Sequence, residues 1–229
     1  CENHLETNKR TAMPTDDHRT APDTDETASA APERKRPRPG ERRVQILQAL
    51  AEMLARPGAE RVTTAALAAR LGVSEAALYR HFASKAQMFE ALIDFIESSV
   101  FGLINQIGER EPPGRARAAR LVAMVPQFGA KNPGPARVMV GHALVLEHQR
   151  LQQRMNQFFD KLDAALRQSL RDGALADAAE PATLTPDADA RVRASVLTAF
   201  VAGRLQRFAR SGFRRAPSEQ LGACIARML

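Results

Sequence analysis

Cysteine occurs only at positions 1 and 224, which excludes a disulfide framework. No histidine stands at ligand spacing from either, so neither completes a metal site. Cys224 reads instead as a small buried apolar residue on the last helix. No apolar run approaches the ~18–20 residues that a membrane span requires, and the first residues hold no signal-peptide type of apolar segment. A cytoplasmic protein without membrane attachment is expected. Alternating β-branched runs and internal repeats are missing, so strands are not expected. A glycine-rich phosphate loop, a nucleophile elbow and a Cys/His pair are missing too. His142 and His148 flank Glu147 six residues apart, nearly opposite on a helix and unlike the four-residue step of a zinc protease. The chain is therefore expected not to be an enzyme, and to need no cofactor or metal.

What the sequence does hold is apolar bulk and positive charge. Hydrophobic residues make up 44% of its 229, enough for a real core, and the net charge is +7. That excess points to a polyanionic partner, nucleic acid or an anionic membrane. Residues 1–41 have almost no large apolar side chains and cannot offset their ordering entropy, so a disordered acidic and basic tail is expected there. The tail closes on "ERKRPRPGERR", which carries Arg34, Lys35, Arg36, Arg38, Arg42 and Arg43. This stretch reads equally as a solvated tail or as an arm that tracks phosphates.

From Arg42 onward the pattern is helical. Val44, Leu47, Leu50, Ala51 and Leu54 recur at three- and four-residue steps, and "RPG" at Arg56–Gly58 stops the first helix. Thr63 or Thr64 caps a second that ends at Gly72; Ser74 caps a third and Ser84 a fourth. The fourth carries a stripe of Phe89, Leu92, Ile93, Ile96, Val100, Leu103, Ile104 and Ile107 before "EPPG" breaks the chain. Further helices are predicted over 115–131, around 136–140, and over 142–171, 187–211 and 218–228. Phe95 lies about 120° off the main stripe of the fourth helix, with Met88 on the same flank. Such a flank is either a partner site or a second buried side. Val192, Val196, Leu197, Phe200, Val201, Leu205 and Phe208 suit a helix-pair dimer interface, intramolecular core, or some of each.

The second and third helices meet at "LGVS", a tight turn with Gly72, which is helix-turn-helix spacing. Leu78 and Phe82 share one face of the third helix and would bury against the alanine-rich second. Ala76, Tyr79 and Arg80 then point away, with Ala77 and His81 at the edges. Small side chains followed by Tyr, Arg and His suit a major groove, the former admitting base edges and the latter reaching phosphates. Lys85 adds a cation beside the start of the fourth helix, where backbone N–H groups already favour a phosphate.

"RVTTAALAARLGVSEAALYRHFASKAQMFEALI" resembles the DNA-binding segment of the TetR family, whose hallmark Tyr-x-His-Phe-x-x-Lys run falls on Tyr79, His81, Phe82 and Lys85. "GHALVLEHQRLQQRMNQFFDKL" and the "NPG" at Asn132–Gly134 are similar to the nucleoid occlusion branch of that family. The resemblance runs from about Arg42 to Leu229. It implies an all-α fold with a DNA-binding head at residues 42–88 and a helical dimerisation and partner-binding body at 89–229. It further implies a homodimer on short double-stranded palindromes, one dimer or two per site, at the nucleoid. When DNA-bound, such a protein engages the division protein FtsZ and antagonises its ring. The DNA-binding candidates are Thr63, Thr64, Ser74, Glu75, Ala76, Tyr79, Arg80, His81 and Lys85. By position, Phe95, Met124, Lys131 and Asn132 fall on the FtsZ surface. Leu103 stands where that branch has arginine, Gln127 where it has glycine, and Pro126 enters a stretch that should be helix. The competing reading is a ligand-responsive repressor whose body holds a small molecule that splays the heads.

Overall fold

The computed structural model describes residues 40–58, 61–176 and 185–229, and most of the expected tail at 1–41 lies outside them. Among the described residues every regular element is helical: α1 Glu41–Leu54, α2 Thr64–Leu71, α3 Glu75–Tyr79, α4 Lys85–Arg110, α5 Arg115–Lys131, α6 Pro133–Met139, α7 Gln149–Ala176, α8 Pro186–Arg210 and α9 Leu221–Met228. A short 3₁₀ turn at His142–Leu144 joins α6 to α7.

Local chemistry fixes most of the helix starts. The hydroxyls of Thr63, Ser74, Ser84 and Thr185 each accept a hydrogen bond from the backbone N–H three residues on, at 3.2–3.3 Å, so each helix that follows starts with one orphan donor satisfied. Ser84 and Gln87 work as a pair, since the Gln87 carboxamide oxygen accepts from the N–H of Ala83 at 2.8 Å. Gly72 ends α2 at φ 64°, a left-handed conformation that a side chain would strain.

Two long antiparallel helices, α7 and α8, form the backbone of the body, with α5 and α6 packed on α8. Leu151, Met155, Phe158, Leu162, Leu166 and Leu170 on α7 face Ala190, Ala194, Leu197, Val201 and Leu205 on α8, all buried. At the other end α1 docks on α6, and this contact depends on Gly134, where an added Cβ would lie 2.0 Å from the Ala51 carbonyl oxygen. Gly129 similarly admits Leu205, whose Cδ2 would be 2.4 Å from a Cβ there. Pro126 sits buried inside an unbroken α5, so the helix tolerates the residue expected to disturb it.

Several expectations need correction. Val44 is exposed while Ile46 is fully buried, because α1 turns the face with Ile46, Ala49, Leu50 and Leu54 toward its neighbours. Met88 is also fully buried and does not share the exposure of Phe95. The helix predicted over 142–171 starts at Gln149, since Gly141 at φ 77° and the 3₁₀ turn redirect the chain and leave Val145 and Leu146 exposed. The last helix begins at Leu221, not 218, after Gln220 at φ 49°. Cys224 is half-buried and receives a hydrogen bond from Arg204 to its Sγ at 3.0 Å, so its sulfur meets a cation as well as apolar neighbours. The body stripe divides: Leu197, Val201, Leu205 and Phe208 are internal, whereas Val192 and Val196 are exposed.

Candidate nucleic-acid interface

The helix-turn-helix is braced from behind. Leu67 and Ala68 of α2 and Leu78 of α3 are buried with Phe82, leaving the opposite face of α3 outward. Ala76, Tyr79 and Arg80 are exposed, Tyr79 by 46% although it is a large ring. The Thr64 hydroxyl donates to the Glu75 carboxylate at 2.5 Å, tying the first residue of α2 to the first of α3. Thr63 and Ser74 spend their hydroxyls on the helix starts, which sets the angle at which the α3 face is presented. A second brace joins α1 to α2 through Arg70 and Glu52, and the Arg70 hydrogen bond holds the Glu52 carboxyl below the usual carboxylate range.

Arg43 reaches from α1 to the end of α3. Its guanidinium lies 4.1 Å from the centroid of Phe82 and donates to the carbonyl of His81 at 2.5 Å. The His81 side chain is half-buried at this edge. Lys85 is drawn the other way. Its ammonium is paired with Glu147, a carboxylate 62 residues away on the segment before α7. From there ion pairs continue between α4 and α7: Glu90 with Arg150, Asp94 and Glu97 with Arg154, and Glu97 with Lys161. Burial opposes the charge on Arg154, but the Glu97 and Asp94 carboxylates outweigh it and keep its pKa above the usual arginine value. Thus α4 leaves the reading head clamped to the body.

Farther along α4, Phe95 is 47% exposed beside that ladder. Leu103, expected in the apolar stripe of this helix, is instead exposed two turns on, because full burial of the stripe ends at Val100; it stands where the nucleoid occlusion branch has arginine. On α5, Met124 is half-buried and Lys131 exposed, seven residues apart and so on one side of the helix. Gln127 is exposed between them. Asn132 is half-buried and donates from Nδ2 to the Phe128 carbonyl at 2.8 Å.

The amino-terminal half of this arrangement, residues 46–92, matches the family of bacterial regulatory proteins of tetR type. Residues 115–226 match the tetracyclin repressor-like C-terminal domain of SlmA type. Nucleoid occlusion factor SlmA of Citrobacter koseri is 47% identical over 183 residues, covering 80% of this chain and 90% of the relative. SlmA of Escherichia coli is 46% identical over the same span. The chain belongs to the SlmA family of TetR-type proteins.

Among solved structures, the fatty acid degradation regulator FadR of Bacillus halodurans superposes with a TM-score of 0.66 at 14% identity, over 84% of this chain and 97% of its own. FadR of Bacillus subtilis, solved with stearoyl-CoA, gives 0.62 at 16% identity, over 81% and 96%. At that identity the likeness speaks for the TetR fold alone. An SlmA-family member is a DNA-binding protein and not an enzyme. Among the described residues no group of three His, Cys, Asp or Glu side chains is placed to hold a metal, and no helix is long and apolar enough to cross a membrane.

Sequence reasoning weighs Glu147 only as the centre of a rejected histidine pair, not as the partner of Lys85, and misses Arg154. Neither stands in a local motif, and each acts only because α7 returns beside α4. In the sequence Arg43 reads as one charge of a basic arm, whereas it sits on folded helix against α3.

Proposed function

We propose that this protein is a nucleoid occlusion factor of the cytoplasm. Bound to chromosomal palindromes through its helix-turn-helix, it engages FtsZ and antagonises division-ring assembly over the nucleoid. The observation that carries this reading is the 183-residue match to SlmA proteins, which spans reading head and body together. Residues 42–88 act as the DNA head and 89–229 as the dimerisation and partner body.

In this reading α3 enters the major groove. Ala76 leaves room for base edges, while Tyr79, Arg80 and His81 reach the backbone and Lys85 meets a phosphate at the start of α4. Thr63 and Ser74 present their helix starts to the duplex, and Thr64 with Glu75 keeps the two helices in register. Two such heads come from a homodimer. Val192, Val196, Ala199 and Gly203 recur at four, three and four residues along α8 and are all exposed, a seam that a second copy would cover. One helix then serves both ligands. Lys85 at the DNA end of α4 and Phe95 on the FtsZ side are ten residues apart, about 15 Å along the axis. Met124, Lys131 and Asn132 extend the FtsZ side on α5.

The two functions open to a TetR-type fold differ in how many sites they occupy. Chromatin immunoprecipitation of the protein is expected to recover a shared palindrome at many chromosomal positions. Recovery of one or a few operators beside its own gene would overturn the occlusion reading in favour of a repressor.

A further inference from the structure

Where α8 ends, arginines gather from several elements. Arg207 and Arg210 lie in its last turn, Arg214 and Arg215 in the loop beyond, and Arg137 comes from α6. The favourable field at a helix C-terminus accounts for Arg207 and Arg210 in the last turn of α8, but not for Arg214 and Arg215 in the loop beyond it. Arg207, Arg210, Arg214 and Arg215 form no ion pair with any carboxylate among the described residues. Glu219 borders the same ground with Arg207 and Arg215 without pairing to either.

These side chains surround real space. A cleft of about 790 Å³ is walled on one side by Pro57 and Gly58, just beyond α1, and on the other by Arg137, His142, Arg210 and Arg214. A smaller cleft of about 410 Å³, lined by Arg207, Arg210, Arg214 and Arg215, adjoins it through the shared Arg210 and Arg214. Arg137 is only 3% exposed, and its guanidinium is fixed by stacking 4.8 Å from the Phe213 centroid and donating to the Arg56 carbonyl at 3.0 Å. Arg137 is thus held rigidly and Arg214 is tethered through its Nε to the Ser211 carbonyl at 3.0 Å, while Arg207, Arg210 and Arg215 extend from exposed or loop positions toward the same space. Like charges lining one cleft repel unless an anion lies among them, and the arginine fork matches phosphate oxygens. The volume falls within the ~300–1,000 Å³ range of small-molecule sites.

We infer that this cleft is a binding site for a small, multiply charged, phosphate-bearing molecule, held between Pro57–Gly58, just beyond α1, and the end of α8. A guest there touches both the segment that leads into the reading helices and the body, so it sets how firmly the head is held. The site is cationic and stands at the head–body junction, away from the α7–α8 core. It does not depend on the FtsZ reading.

The test is thermal unfolding of the full chain with sodium tripolyphosphate, and separately with ATP, against sodium chloride of matched ionic strength. Tripolyphosphate at a hundredfold excess over its Kd is expected to raise Tm by roughly 5 °C. The R210Q/R214Q variant, altered at two exposed positions, is expected to lose that shift while R110Q/R227Q keeps it. Binding of R210Q/R214Q to a random 20-base-pair duplex should stay within about twofold of the parent. No shift with either probe, or an equal shift in R210Q/R214Q, overturns the proposal. So does a tenfold loss of duplex affinity in R210Q/R214Q without any tripolyphosphate shift, which would make the cluster a DNA-backbone contact instead.

Discussion

Replacing Phe95 with alanine separates the partner surface from everything else that α4 does. An aromatic side chain offers about 200 Å² to burial. With 47% of Phe95 exposed, on the order of 90 Å² is left for a partner to cover. At ~25 cal/mol/Å² that area is worth about 2 kcal/mol, or roughly 30-fold in Kd. The remaining ~110 Å² of the side chain, already packed against α4's neighbours, costs folding stability of about 3 kcal/mol at most, since area against an extended chain is an upper bound. The variant should therefore melt a few degrees lower and stay folded at 25 °C. Fluorescence anisotropy with palindrome-bound protein is expected to show the roughly 30-fold loss of FtsZ affinity, with duplex affinity within twofold of the parent. Phe95→Leu should recover most of it. If Phe95→Ala binds FtsZ as the parent does while folded and DNA-bound, the partner surface lies elsewhere on the body.

Three further perturbations probe the head and its joint. Glu147→Gln releases Lys85 from a partly exposed pair worth about 1 kcal/mol, so duplex affinity should rise up to about fivefold in filter binding; equal or weaker binding would show that Lys85 belongs to the body. Gly134→Ala places a Cβ 2.0 Å from the Ala51 carbonyl oxygen, and the overpacking should cost about 1–3 kcal/mol in a denaturant titration, whereas an unchanged midpoint would refute the α1–α6 contact. Tyr79→Ala should weaken all duplexes alike with affinity still falling steeply with salt, and Lys85→Gln should lower the log–log salt slope by about 0.9; loss of one base preference only would mean that Tyr79 reads bases.

How much of this was legible in the sequence depended on the range of the interaction. Caps at Thr63, Ser74 and Ser84, the stop at Gly72, and the span of α5 were readable because each rests on residues within a turn or two. The outward set on α3 was readable too, since Leu78 and Phe82 leave it only one face to expose. Faces set by docking were not. Periodicity alone favours Val44 as readily as Ile46, and the choice falls to Ile46 because of how α1 lies on its neighbours. Met88 is buried for the same kind of reason, enclosed near the start of α4 where head and body meet. The segment Gly141–His148 has the apolar content of a helix, yet the chain turns there and Glu147 is spent on Lys85. The FtsZ positions on α4 and α5 came from resemblance, and only the exposure of Phe95 gives them physical support of their own.

Sedimentation of FtsZ polymers in GTP, with the protein present and with or without duplex carrying the palindrome, bears on the division role most directly. The expected result is a clear loss of polymer in the pellet, or its disorganisation, when protein and palindrome are present together, and a weaker effect when either is left out. Unchanged polymer mass and assembly in both conditions would contradict the assignment, whatever the DNA-binding measurements showed.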